Sequence, residues 1–175
     1  NMAANTALKL TLPNDMSYLE IAQSFVRSTA VKFGFADKEL NQIELAVEEC
    51  AANIIKHAYG AGESGSFSIA CERIPLGIRI IFHEQGIPFD PQHLPKYDPL
   101  QSPAEGSTAG IGMFLIREVM DEVSFNNLGP AGKETRLVKR LPSRSIAQIL
   151  DSSQLDMESG PPPGPAVIQE KIPYT

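Results

Sequence analysis

The chain of 175 residues has no tryptophan and only two cysteines, Cys50 and Cys71. Two isolated cysteines make neither a disulfide framework nor a zinc site, so both are expected to be reduced thiols. No apolar run approaches the roughly 20 residues of a membrane span, and no basic start leads into an apolar stretch. The expectation is therefore a cytoplasmic protein with no membrane partner. Basic residues are in the minority, 15 Lys and Arg against 21 Asp and Glu, a net charge of −6. That balance argues against a nucleic-acid surface. No internal repeat is evident. What is present is 42% hydrophobic residues, enough for one good core and a tail besides.

Along the chain, Ala7–Leu12 alternates, with Leu8, Leu10 and Leu12 on one side, and reads as a strand ended by Pro13. Asn14 or Asp15 can cap a helix with apolar Leu19, Ala22, Phe25, Val26, Ala30 and Phe33, stopped at Gly34. Asp37 caps a second helix that Gly60 closes. Ser66–Arg73 and Gly77–His83 read as two strands around a turn at Pro75 and Leu76. Ile78, Ile80 and Phe82 face one way there and Ile81 breaks the alternation, as expected near a covered sheet centre. From Pro91 to Ala109 the chain is rich in Pro, Ser and Gly, a loop of about 18 residues, a length more often functional or disordered than incidental. Gly110-Ile111-Gly112 opens a helix to about Glu122, with Ile111, Phe114, Leu115 and Val119 inward. Val123–Asn127 and Glu134–Leu141 form a closing hairpin. This order implies an α+β fold, a two-layer α/β sandwich with a mixed, mostly antiparallel sheet and helices on one face. Residues 7–141 make that domain. The remainder, 142–175, holds six of the 14 prolines and reads as a tail or as a linker toward a further domain. Within it, Ser145–Leu150 suggests a helical turn docking Ile146, Ile149 and Leu150.

The second helix carries the chemistry. Its dry stripe is Ile43, Val47, Cys50, Ile54 and Ala58, spaced three and four apart. Glu49, Asn53 and His57 fall at i, i+4 and i+8 and line one edge of that stripe. Burying the carboxylate and amide unpaired would cost about 1–3 kcal/mol each. A hydrated divalent cation carrying phosphate oxygens would satisfy them, since magnesium takes only one or two protein oxygens. Bonds to neighbouring loops would satisfy them as well.

Three segments then stand in a fixed order: Glu49-x-x-x-Asn53 with His57-Ala58-Tyr59 behind it, Gly86-x-Pro88-Phe89-Asp90-Pro91, and Gly110-x-Gly112 at a helix start. As a set they resemble the GHKL (histidine-kinase-like) ATPases, and within these the bacterial anti-sigma-factor serine/threonine protein kinases. Met120-Asp121-Glu122-Val123 is similar to that subfamily too. The resemblance implies a Bergerat-type fold that binds ATP and Mg2+. Glu49 would then be the general base and Asn53 the metal ligand, with His57 at the nucleotide-binding HAY position or an ordinary helix histidine. Gly86 would let the backbone pass close to adenine and Pro88 would stiffen that turn. Amides around Gly110, Ile111 and Gly112 would receive phosphates. Thr135 would help to hold the base.

Two departures stand out. The family's first-motif aspartate, which accepts from the adenine amino group, falls on Glu84, whose extra methylene moves the carboxylate by about 1.5 Å. The segment Tyr97–Ile116 contains no Lys or Arg, although phosphoryl transfer gains rate from cations on the transferring group. The resemblance implies a kinase that phosphorylates an antagonist protein, with a sigma factor as alternate partner and a homodimer as a candidate assembly. The alternative is a nucleotide-responsive binding switch of the same fold with little kinase activity. A histidine-kinase catalytic domain is disfavoured by the short lid and by the absence of a phospho-accepting helical hairpin upstream.

Overall fold

A computed structural model describes residues 7–57, 64–85, 111–143, 146–148 and 150–151. Up to Leu141 the chain forms one compact unit. Its elements are β1 (Leu8–Pro13), α1 (Leu19–Lys32), α2 (Asp37–His57), β2 (Ser66–Ile74), β3 (Gly77–Glu84), α3 (Ile111–Val119), β4 (Glu122–Asn127) and β5 (Lys133–Arg140). The five strands form one sheet in the order β1-β2-β3-β5-β4. Each of the four described pairings is antiparallel. The α+β two-layer architecture read from the sequence is the one observed.

Register divides the sheet into two unlike faces, because side chains alternate along each strand. One row across it is Leu10, Ile69, Phe82, Thr135 and Phe125; another is Leu8, Cys71, Ile80, Leu137 and Val123. Ile69, Phe82, Cys71, Ile80 and Leu137 in these rows are buried. Each large apolar side chain so removed from water contributes about 1.5–3 kcal/mol. The opposite face carries Glu72 paired with Arg79 at 3.2 Å and Glu134 with Arg136 at 3.1 Å. Ile81 lies on this second face and is only half-buried. Its break in the alternation therefore does not mark a centre covered on both sides.

The helices pack over the apolar face, α1 along α2 and α2 along α3. Ile43, Val47, Cys50 and Ile54 of the expected dry stripe are buried, joined by Leu40, Ala46 and Ala51; Ala58 lies outside the described residues. Asp15 caps a 3₁₀ turn at Met16–Tyr18, not α1 directly, accepting from the Ser17 amide at 2.8 Å. That bond holds the Asp15 carboxyl below its ordinary range. Asp37 opens α2 at a φ of 40°, a left-handed geometry that aspartate tolerates because its short side chain bonds locally. Arg73 donates to the Lys32 carbonyl at the end of α1, its guanidinium 4.7 Å from the Phe33 ring centre.

α3 ends at Val119, one turn before the expected limit, and Glu122 begins β4 instead. The cause is docking onto β5. Lys139 Nζ donates to the Val119 carbonyl, the Asp121 amide donates to Val138, and Asp121 Oδ2 accepts from the Arg140 amide at 2.6 Å. The first satisfies a carbonyl at the helix end, and together the three turn the chain into the strand. The residues of this stretch that are buried are Ile116 and Met120, whereas Ile111, Phe114, Leu115 and Val119 are half-buried. Beyond Leu141, described residues 146–148 and 150–151 are helical and Leu150 is exposed.

Candidate functional site

Asn53, His57, Glu84 and Thr135 line one cavity between the helical layer and the sheet. They come from three elements: α2, the last residue of β3, and β5. Their convergence follows from the register, since Thr135 stands opposite Phe82 and the next inward pair is Glu84 and Lys133. Cys50, Ile54, Met113, Ile116 and Phe125 supply the apolar walls.

α2 is held over this cavity at its last turn. The Asn14 side chain donates to the Ile55 carbonyl at 3.3 Å, while its amide donates to Gly65 at 2.8 Å. The end of β1 is thus tied to the helical turn that carries Asn53 and His57. Glu49 and Asn53 are half-buried and His57 is exposed at the rim. Burial pushes the Glu49 carboxyl above its ordinary value; Glu48 adds to this and Lys56 opposes it. A carboxylate raised in this way is a better proton acceptor than one in free solution.

Gly112, in the first turn of α3, lies directly against Glu49: a Cβ there would overlap Glu49 Oε2. The structure thus brings together two residues singled out in separate segments. Ile111 is the first residue of α3 and is half-buried. Gly86, Pro88 and Gly110, with the long loop between them, lie outside the described residues.

Glu84 carries the largest departure from the expected pattern, and Lys133 faces it. Lys133 Nζ lies 3.2 Å from Glu84 Oε1, with both side chains 11% exposed. Glu84 Oε2 is buried without a hydrogen-bond partner among the described residues. Burial pushes the Glu84 carboxyl up, against the lowering effect of Lys133 and, less, of His83. Lys133 was missed in the sequence. A signal was available in strand parity, because 133, 135, 137 and 139 share a face on which Thr135 and Leu137 point inward.

The backbone around this pair is fixed. Gly132 has a φ of 98° and a ψ of −149°, a conformation essentially confined to glycine. A Cβ on Gly132 would strike the Glu84 carbonyl. His83 Nε2 donates to the Ala131 carbonyl at 2.7 Å and locks the same turn from the other face.

Among the described residues no cluster of three or more His, Cys, Asp or Glu could hold a metal ion. Cys50 also borders the cavity, but burial, reinforced by Glu49 and Glu84, pushes its thiol far up. It is a wall, not a nucleophile.

Residues 12–139 match the model of the histidine kinase-like ATPase domain. The serine-protein kinase RsbW of Oceanobacillus iheyensis is 27% identical over 124 residues, 69% of this chain and 78% of the relative. RsbW of Bacillus subtilis matches with the same figures. RsbW of Staphylococcus epidermidis is 27% identical over 122 residues, 67% of this chain and 77% of the relative. With that match spanning the sheet, the helices and the cavity between them, the chain belongs to the histidine kinase-like ATPase domain family.

Proposed function

We propose that this chain is an ATP- and Mg2+-dependent serine/threonine protein kinase of the anti-sigma-factor type, which controls a sigma factor by phosphorylating its antagonist protein. The observation that carries this reading is the convergence of Asn53, Glu84 and Thr135 on one cavity, with Glu49, one helical turn before Asn53 on α2, packed against Gly112. The serine-protein kinases among its relatives support the reaction class.

In this reading Glu84 Oε2 would accept from the amino group of the base and Thr135 would lie along the edge of the base. The amide oxygen of Asn53 would hold the cation. Bound magnesium would neutralise phosphate charge as the γ-phosphoryl group leaves ADP. The first turn of α3 would present its backbone amides to the phosphates. Glu49 takes the proton of the attacking hydroxyl as the new phosphorus–oxygen bond forms and the bond to ADP breaks. His57, at the rim, borders the phosphate side.

The segment Tyr97–Ile116, which lacks Lys and Arg, favours a second reading: a nucleotide-responsive switch that sequesters its partner and transfers phosphate poorly. Calorimetry with MgATP, followed by incubation with labelled ATP and an antagonist protein, tests both. Binding with transfer supports the kinase, and binding without transfer to any antagonist supports the switch. Absence of heat and of thermal stabilisation at millimolar MgATP defeats both, since ligand at 100 times its dissociation constant stabilises by about 2.7 kcal/mol. No helix among the described residues is long and apolar enough to cross a membrane. We assign the protein to the cytoplasm, with residues 142–175 as a linker or tail outside the catalytic domain.

A further inference from the structure

We propose that Lys133 is a positioning residue for base selection: it holds the Glu84 carboxylate so that one oxygen is occupied and the other accepts an amino hydrogen of the nucleotide base. The proposal rests on the nucleotide-binding reading above and goes beyond it, because it assigns selectivity to a cation on a different strand.

Three observations carry it. Lys133 and Glu84 are cross-strand partners on the inward face, Nζ to Oε1 at 3.2 Å, both nearly withdrawn from water. The second oxygen, Oε2, is buried and has no hydrogen-bond partner among the described residues, and the residue borders the cavity beside Thr135. The glycine-only turn at Gly132, pressed on the Glu84 carbonyl, fixes the strand ends that carry the pair.

The physical consequence follows from charge. A buried carboxyl with no cation nearby takes up a proton, and its hydroxyl can then donate as well as accept. Such a group would bond to a base with an amino group or to one without. An ammonium at 3.2 Å favours the ionised form, which only accepts. An acceptor with one free oxygen rewards a ligand that brings N–H to that point and leaves an unpaired buried oxygen for one that does not. The same pairing accommodates the extra methylene of Glu84, since the longer side chain reaches the lysine and is not left loose in the cavity.

The experiment compares MgATP with the Mg2+ complex of purine riboside triphosphate, which differs from ATP by the 6-amino group alone. Dissociation constants are measured by calorimetry for the parent, Lys133→Met, Lys133→Arg and the double variant Lys133→Met/Glu84→Gln. The double variant removes both charges together, and circular dichroism verifies its fold should Lys133→Met fail to fold. The parent is expected to prefer ATP by ~10²-fold or more, as sites built around a hydrogen bond do. Lys133→Met and the double variant should lose at least ~10-fold of that preference through weaker ATP binding, with the amino-free analogue little changed, while Lys133→Arg retains it. Equal weakening of both nucleotides in Lys133→Met and the double variant would show a structural role and overturn the inference. So would an undiminished preference. A parent that binds neither nucleotide overturns the nucleotide-binding reading itself, and this inference with it.

Discussion

Gly112 and Glu49 are in van der Waals contact, with the glycine occupying space that any side chain would take from the carboxylate. The first turn of α3 is therefore the seat of the proposed base on α2. Gly112→Ala adds a methyl group that must displace Glu49 Oε2, the free end of a flexible side chain. Alanine is also the better helix former by about 1 kcal/mol. The variant is expected to unfold at or slightly above the parental temperature in calorimetry. Its phosphotransfer should fall by about 10²-fold, because a small misplacement of a reacting group is enough.

Glu49 and Asn53 share a stripe but are expected to fail differently. Glu49→Gln keeps shape and most hydrogen bonds but cannot take a proton, so phosphorylation should drop about 10²–10⁴-fold with ATP affinity nearly unchanged. Asn53→Ala removes a proposed magnesium ligand and should weaken nucleotide binding as well as turnover. Parallel calorimetry and labelled-phosphate assays separate the two. Parental turnover in Glu49→Gln would remove Glu49 from the role of base.

Gly132 is the residue whose substitution should damage the fold itself. Gly132→Ala forces a Cβ into a conformation that side chains avoid, against the Glu84 carbonyl. A loss of about 1–3 kcal/mol is expected from the strain, read as a lower urea midpoint with unchanged slope.

Glu84 gives a pH dependence of known sign. Its carboxyl is raised above the ordinary value of 4.5 in the folded protein, burial outweighing Lys133. Between 4.5 and that raised value the folded state holds more proton than the unfolded one, so stability falls as pH rises across the window. The contribution is fully present below 4.5 and lost above the folded-state value. Urea titrations from acid to neutral pH should show this slope in the parent and its absence in Glu84→Gln.

Both thiols should be silent in the native protein. Cys50 and Cys71 are buried, and burial pushes the Cys71 thiol up to about 12, against a bond with Thr29. A colourless native sample with a thiol reagent, and two equivalents of reaction after unfolding, is the expected result.

What the sequence determined by itself is local. The period of α2 placed Ile43, Val47, Cys50 and Ile54 in the core and Glu49, Asn53 and His57 along its edge, because helix geometry links residues three and four apart without reference to the rest of the chain. Strand alternation likewise placed Leu12, Ile78, Ile80 and Phe82 inward, and turn residues placed the hairpins. The order of elements gave the two-layer fold, while α3 ends about one turn before the expected Glu122 because bonding to β5 decides its limit. Two relationships at the site belong to the tertiary structure alone. Glu84 meets Lys133 through the β3–β5 register, and those strands are separated in sequence by α3 and β4, so no turn sets their alignment. Gly112 meets Glu49 because α3 packs along α2, a consequence of which faces both helices bury against the sheet. Pairings of that kind depend on the closure of the whole core, which no local pattern encodes.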